Sequence, residues 1–467
     1  MRWSWRRRCW PAACSPRWGP TGWSEPPPRA GRTPPDRPHG RWTLRPAPGT
    51  PAGSRGRYHQ DCTNPIQLTK EDPVRRVLKL AALGAAASLA LTACGEAPED
   101  NDTGTTNNDS GAGATDDTAA TDDGAAAGGA EDFQACMVSD SGGFDDQSFN
   151  QSGKEGLDAA AESLGIETTE VESQSDADYA SNVQNLVSQG CNLTIGVGFL
   201  LEDAIQEAAE QNPDTNFALI DSAFSDENFE PVELDNAKPI LFNTAEASFL
   251  AGYLAAGMSE TGTVATFGGI QLPSVAIFMD GFADGVDKYN EDNDAEVQLL
   301  GWDKEAQDGS FSGDFENQAQ GQTLTDQFIA QGADVIMPVA GPVGLGAAAA
   351  ASDEDGVKIV WVDSDGYLTA SEYSDIMLTS VMKQIGPAVE DTIAQTYEGG
   401  FTNEPYVGTL ENDGVGLAPY HDFEDAVAEK TAVGPDGEEM PLNEVIDAYE
   451  EQIISGELTI ETPNAPQ

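Results

Sequence analysis

The chain has 467 residues, with 80 Asp plus Glu against 23 Lys plus Arg and a net charge of −57. That total hides two compositions: up to Pro73 there are 13 basic residues, 6 of the 8 Trp and 5 acids, whereas from Gly95 onward there are 7 Lys, no Arg and 75 acids, a net charge of −68. So negative a surface repels phosphate backbones and anionic headgroups, which excludes nucleic-acid binding and a polybasic membrane patch for the acidic part.

Residues 1–73 show no apolar periodicity, and tracts such as Arg6-Arg7-Arg8 and Pro26-Pro27-Pro28 sit among scattered Trp. They read as an over-extended reading frame and are set aside from the fold. Residues 74–93 then place Arg75, Arg76 and Lys79 before an apolar run from Leu80 to Ala93, ending in Leu91-Thr92-Ala93-Cys94. The run is too short to span a bilayer but fits the apolar core of an export signal. The small residues before Cys94 let a peptidase approach, and the Cys94 thiol is the expected site of lipidation. From Cys94 to Glu131 the chain is Gly, Ala, Thr, Asn and Asp without an aromatic or branched aliphatic residue, which reads as a solvated acidic tether. The expected location is therefore the extracytoplasmic face of the cell membrane, through a lipid anchor.

The segment 132–467 is too long for a single core, so two lobes are expected. Apolar runs alternate with amphipathic stretches: strand 135–139, helix 150–164, strand 167–171, helix 177–189, strand 191–197, helix 202–211 and strand 217–220. Leu157, Ala161 and Leu164 share one face of the first helix, and Tyr179, Val183, Leu186 and Val187 one face of the second. The pattern restarts after an apolar helix at 247–257, with strands at 264–267, 297–300, 335–339 and 359–362 and helices near 276–289, 317–331 and 343–352. Residues 376–380 lead into a helix at 384–398. This is an α/β chain of two doubly wound, Rossmann-like lobes, lobe 1 about 132–243 plus a return after 384 and lobe 2 about 244–380, whose hinged cleft takes a ligand at the carboxyl ends of the strands. Cys136 lies in the first strand and Cys191 begins the third, neighbours in the usual 2-1-3 order, so a disulfide is expected in an exported domain.

After the first strand comes Asp140-Ser141-Gly142-Gly143-Phe144-Asp145-Asp146-Gln147-Ser148-Phe149-Asn150. Carboxylates accept from hydroxyls, Asn offers a donor and an acceptor, and a Phe face stacks on a heterocycle. Asp145 and Ser148 also suit helix capping, and Phe149 suits a core, but neither role explains the whole cluster. Lys383 stands out among seven Lys because a strand and a helix N-terminus flank it, where the helix dipole does not favour a cation; a ligand role explains it better than a snorkelling surface Lys.

The run Asp140 to Asn150 resembles the Asp-x-Gly-x-x-Asp-Asp-x-Ser-Phe-Asn motif of the basic-membrane-protein family, lipoproteins that serve ABC importers as purine-nucleoside-binding components. Val197-Gly198-Phe199, Phe217 to Asp221, Phe249 to Ala256, Val362-Asp363-Ser364-Asp365 and Thr379 to Lys383 extend the resemblance from about Ala135 to the end. It implies a type I periplasmic-binding-protein fold, with Phe149 stacking on the base and Asp140 and Asn150 bonding the base or its surroundings. Asp221 would serve the first-lobe wall, Asp363 and Lys383 would hold the ribose, and Gly341 would let backbone approach the ligand. Asp363 is favoured over Asp365 because it directly ends the strand. Phe311 is implied as the opposite stacking face, but Ser312-Gly313-Asp314-Phe315 intervenes where the family has a shorter segment, and Phe315 competes for that place.

Rival functions have weaker footing. Gly344-Leu345-Gly346-Ala347-Ala348-Ala349 matches a dinucleotide fingerprint, with Asp363 about 20 residues on, yet Pro342 and Val343 separate it from its strand. A hydrolase or metal centre finds one His, His421, in the acidic part, and Asp292-Asn293-Asp294 and Asp353-Glu354-Asp355 lack the Gly and terminal Glu of a calcium loop. A sensor domain would need an output region. The expected protein is a monomer without catalytic residue, cofactor or metal that binds a nucleoside and delivers it to an ABC permease, with a sugar or other small polar solute as the alternative ligand.

Overall fold

The computed structural model describes residues 133–466 apart from Glu227 and Phe229. The expected leader, the lipidation site Cys94 and the acidic tether lie outside the described residues.

The first run of elements is β1 (Gln134–Ser139), α1 (Phe149–Leu164), β2 (Glu167–Val171), α2 (Tyr179–Gln189), β3 (Leu193–Val197), α3 (Glu202–Gln211), β4 (Asn216–Ile220) and β5 (Ala237–Phe242). Of the face expected on α1 only Leu157 is fully buried: Ala161 and Leu164 are half-buried, and the buried stripe runs instead through Gly153, Gly156, Leu157 and Ala160, whereas on α2 Tyr179, Val183 and Leu186 bury as expected and Val187 is half-buried. Gly165 and Gly190 end both helices in the left-handed region. The second run is α4 (Thr244–Met258), β6 (Thr263–Gly268), α5 (Pro273–Asn293), β7 (Gln298–Leu300), the short pair β8 (Trp302–Asp303) and β9 (Asp308–Gly309), α6 (Gln318–Ile329), β10 (Val335–Val339), α7 (Val343–Ser352), β11 (Lys358–Asp363), α8 (Gly366–Thr369) and β12 (Met377–Lys383). The chain closes with α9 (Ile385–Tyr397), β13 (Tyr406–Gly408), β14 (Val415–Leu417), α10 (Glu424–Glu429), the hairpin β15 (Thr431–Val433) and β16 (Glu439–Pro441), and α11 (Leu442–Ile454).

Two six-stranded sheets result, with the same winding: β2-β1-β3-β4-β5-β13 and β7-β6-β10-β11-β12-β14. All their pairings are parallel except β12 with β14. Parallel strands need covered faces, and β1, β3, β6 and β10 are accordingly buried along almost their whole lengths. The helix α4 is apolar on every side because it is enclosed. It crosses α5 so closely that a Cβ on Gly252 would lie 2.1 Å from the Phe282 carbonyl oxygen. The return to the first lobe after residue 384 is limited to α9, which packs on α1, and β13, which pairs with β5. The chain then rejoins the second lobe, where β14 extends its sheet and α11 packs on α4.

The Cys136 and Cys191 sulfurs are bonded, with Cα atoms 5.9 Å apart. Cys191 does not begin the third strand; it stands two residues before β3, in the turn after α2. β1 and β3 are direct neighbours, Cys136 facing Thr194 in register. Labelling of free thiols in the unfolded, unreduced protein should find neither cysteine reactive; two reactive thiols would contradict the bond.

Candidate functional site

The two lobes face each other with the carboxyl ends of six strands. β1 leads into Asp140, β3 into Gly198, β4 into Asp221 and β10 into Ala340 and Gly341, while Asp363 ends β11 and Lys383 ends β12. All of these line one cavity of about 590 Å³, counting the space at its mouth. It lies where a doubly wound sheet places ligands, because the loops that diverge there leave a crevice the helices do not fill.

On the first lobe the turn after β1 is built around carboxylates. Asp140 accepts from the Gly142 N–H at 3.0 Å and from Asn150 Nδ2 at 2.8 Å. Asp146 rather than Asp145 or Ser148 caps α1: its carboxylate accepts from the N–H groups of Ser148, Asn150 and Gln151 at 3.0, 2.8 and 3.0 Å. Burial pushes the Asp146 carboxyl up to about 6, against the pull of those three N–H donors. Burial likewise holds the Asp140 carboxyl above the usual range, offset in part by Gly142 and Asn150. The cap fixes the first turn of α1 and thereby the Phe149 ring and the Asn150 amide. With its Nδ2 spent on Asp140 and Asp146, Asn150 keeps a buried Oδ1 without a partner. Gly198, at φ 109°, makes room for this arrangement, since a Cβ there would lie 2.9 Å from Asp140 Oδ2 and 3.5 Å from the Phe149 ring.

Across the cleft Lys383 ties the lobes together. Its ammonium pairs with Asp221 at the end of β4 and lies 3.4 Å from Asp363 Oδ1 at the end of β11. Asp221 and Asp363 occupy the same position in their two sheets, just after or at the end of the fourth strand in winding order, and both take positive φ, 65° and 68°. Such a backbone is uncommon outside glycine and turns each carboxylate inward toward the lysine. Burial works against the Lys383 charge, but the two carboxylates outweigh it and raise its pKa; Asp221 is itself pushed up by burial, which Lys383 offsets in part. The ammonium also stands 5.0 Å from the centre of the Phe149 ring and 4.9 Å from that of Phe278. Hydroxyls also bridge the lobes: Ser148 Oγ lies 3.1 Å from both the Val362 carbonyl and Asp363 Oδ2, and Ser364 Oγ donates to the Gln147 carbonyl at 3.0 Å. Asp363 Oδ1 remains buried without a hydrogen bond.

Of the eight residues singled out from the sequence, Asp140, Phe149, Asn150, Asp221, Gly341, Asp363 and Lys383 line the cavity together. Phe311 does not. Its ring packs against Gly268 and edge-on to Trp302 at 6.0 Å, because residues 310–312 follow the end of β6. Residues 312–314 then carry Phe315 back over Gly269, and Phe315 stands with Phe278 on the second-lobe wall. Sequence reasoning missed Phe199, Phe278 and Asp146 as part of this wall. Phe199 stood in the Val197-Gly198-Phe199 segment of the resemblance without a role of its own and Phe278 fell inside an apolar helix, whereas Asp146 could have been found from its place two residues before Ser148 at a helix start. The glycine-rich stretch Gly344 to Ala349 lies inside α7, and Gly346 packs on the Gln318 backbone of α6, so these glycines serve helix packing.

Residues 133–452 match the family of ABC transporter substrate-binding proteins described as Bmp, PnrA-like. The chain belongs to this family. Similar proteins include a CD4+ T-cell-stimulating antigen of Listeria innocua, 29% identical over 395 residues, 80% of this chain and 95% of the relative. The ABC transporter nucleoside-binding protein BmpA of Lactococcus lactis is 30% identical over 318 residues, 64% of this chain and 85% of that protein. Among solved structures, an ABC transporter solute-binding protein of Aeropyrum pernix K1 superposes with a TM-score of 0.57 at 24% identity, over 71% of this chain and 94% of its own. That likeness shows the fold, two α/β lobes of the periplasmic-binding-protein kind.

Proposed function

We propose that this substrate-binding protein is held at the outer face of the membrane by a lipid on Cys94, and that it captures a neutral nucleoside, a purine in preference, for an ABC permease. The observation that carries the reading is the pairing of the Phe149 face with two buried acceptors in one cavity: Asn150 Oδ1, which has no partner, and Asp363 Oδ1, which faces the Lys383 ammonium at 3.4 Å but accepts no hydrogen bond. A stacked base brings N–H donors to the first, and ribose hydroxyls bring donors to the second. The lysine of the cleft is already committed to Asp221 and Asp363, and Asp140 and Asp146 stand nearby, so a phosphate would meet carboxylates without a free cation. The name of the lactococcal relative points the same way.

Titration calorimetry with guanosine, adenosine, inosine, cytidine, ribose and guanosine monophosphate tests this. Purine nucleosides should bind, with ribose and the monophosphate far weaker; ribose binding as tightly as guanosine would replace the nucleoside by a sugar. Phe149→Ala should weaken nucleoside binding by about tenfold or more, a stack being worth about 1–3 kcal/mol. Asp363→Ala should lose discrimination between the ribose and deoxyribose forms. Unchanged affinity in Phe149→Ala would remove the proposed pocket.

A further inference from the structure

Beyond α11 the chain turns back across the second lobe. Ile460 is buried in the main core, and the Glu461 carbonyl accepts from Lys304 Nζ at 2.6 Å. Thr462 Oγ1 and Asn464 Nδ2 then both donate to Asp280 Oδ2, the latter at 2.8 Å. Asp280 lies in the middle of α5 and is 0% exposed. Its other oxygen accepts from Trp302 Nε1 at 3.0 Å and from Gln307 Nε2 at 2.7 Å, and Gln307 Oε1 accepts in turn from Asn464. A buried carboxylate is costly unless every lone pair is used. Here two of its four donors come from a segment about 180 residues away, which gives that segment one position.

What the anchored segment does follows from where it leads. Pro463, Asn464, Ala465 and Pro466 form one wall of a second cavity, about 980 Å³ with its mouth, whose opposite wall is the first-lobe loop after β4, including Ser222 and Phe224. This cavity shares Phe199, Asp221 and Ser274 with the ligand cleft. Among the described residues, no hydrogen bond joins residues 461–466 to the first lobe; every anchor is on α5 or on residues 302–307. A segment fixed to one lobe and overhanging the other does not brace the closed form. It narrows an opening whose width changes as the lobes part.

We propose that residues 461–466 are a strap that gates a second mouth of the cleft, with Asp280 as its fastening. Both ligand entry and exit then depend on the strap, while the bound state does not touch it. Freeing the strap accelerates association and dissociation together and leaves affinity nearly unchanged.

The test compares full-length protein with Thr462→Ala/Asn464→Ala, and with a chain ending at Glu461, each in a Ser274→Cys background. Modification of residue 274 by N-ethylmaleimide, read by peptide mass spectrometry, needs no ligand and should quicken about fivefold or more when the strap is freed. Stopped-flow binding of guanosine, which rests on the nucleoside reading, should show both rate constants rising by similar factors with Kd changed less than about twofold. Unchanged labelling with a lowered melting temperature would overturn the gate and leave the tail a brace, as would faster labelling with unaltered guanosine rates. If guanosine does not bind the unmodified protein, the nucleoside reading fails, and the labelling rate alone decides the gate.

Discussion

Replacing Lys383 by Met should lower stability at neutral pH by about 3–5 kcal/mol and abolish ligand binding, because removing one partner of a buried ion pair strands the other. Here two are stranded: Asp221 and Asp363 point at the ammonium from opposite lobes, both through backbone turned into the left-handed region. The loss should depend on pH with a definite sign. Asp221 is already raised by burial, and without the lysine that offsets this it rises further. An acid whose folded pKa lies above its unfolded value destabilises the fold as pH climbs through the interval between them, and ceases to do so below it. The deficit of Lys383→Met relative to the unmodified protein should therefore shrink on acidification from pH 7.5 toward 4. Adding Asp221→Asn and Asp363→Asn should recover most of the stability and none of the binding. Urea titrations at both pH values decide this; a deficit that grows on acidification would mean that the lysine does not act by compensating the two carboxylates.

The second large effect is expected from salt. From Gly95 onward the chain carries 75 acids and 7 Lys, and all but ten of those acids belong to the folded part. Among the described residues only eight carboxylates stand within salt-bridge distance of a Lys or His. The remainder repel one another over a Debye length of about 10 Å at 0.1 M salt, which contracts to about 3 Å at 1 M. The melting temperature should climb by about 10 °C or more between low salt and molar NaCl with a chelator present throughout, several kcal/mol at about 2–4 °C each. Local cation capture is the competing cause, and no cluster of three or more metal-ligating side chains occurs among the described residues. A flat or falling curve in NaCl, with stabilisation by low divalent concentrations instead, would favour capture over screening.

The fold was legible wherever one element buried one clear face, as in α1 and α2 or the apolar runs of β1, β3 and β10. It was obscured where sequence carried contrary signals. β5 has Lys238 and Pro239 within a fully buried strand, and the lysine is tolerated because its ammonium reaches the Glu404 carbonyl at 2.8 Å. β13 and β14 are three residues each, too short for any period. In the site, polar residues at strand ends were readable because burial there needs a reason. The aromatic wall was readable only in part: Phe149 and, as a competitor to Phe311, Phe315 were named, whereas Phe199 and Phe278 differ from core Phe only in which space their rings face. The equivalence of Asp221 and Asp363 emerges only when the two sheets are laid side by side, and Asp280 gave no signal because its donors lie from 22 to 184 positions away.

The order in which the strands arrive has a consequence for how this protein is made. The first sheet lacks its outermost strand until residue 406 has been synthesised, and the second lacks its own until residue 415. A nascent chain thus presents β5 and then β12 as open edges while most of both lobes already exists. Such edges invite pairing with a neighbouring chain. Neither half can be produced separately as a finished lobe, and a frameshift or cleavage before residue 400 would leave two incomplete sheets instead of one working lobe. In this architecture the last strands to be laid down act as the seal on both.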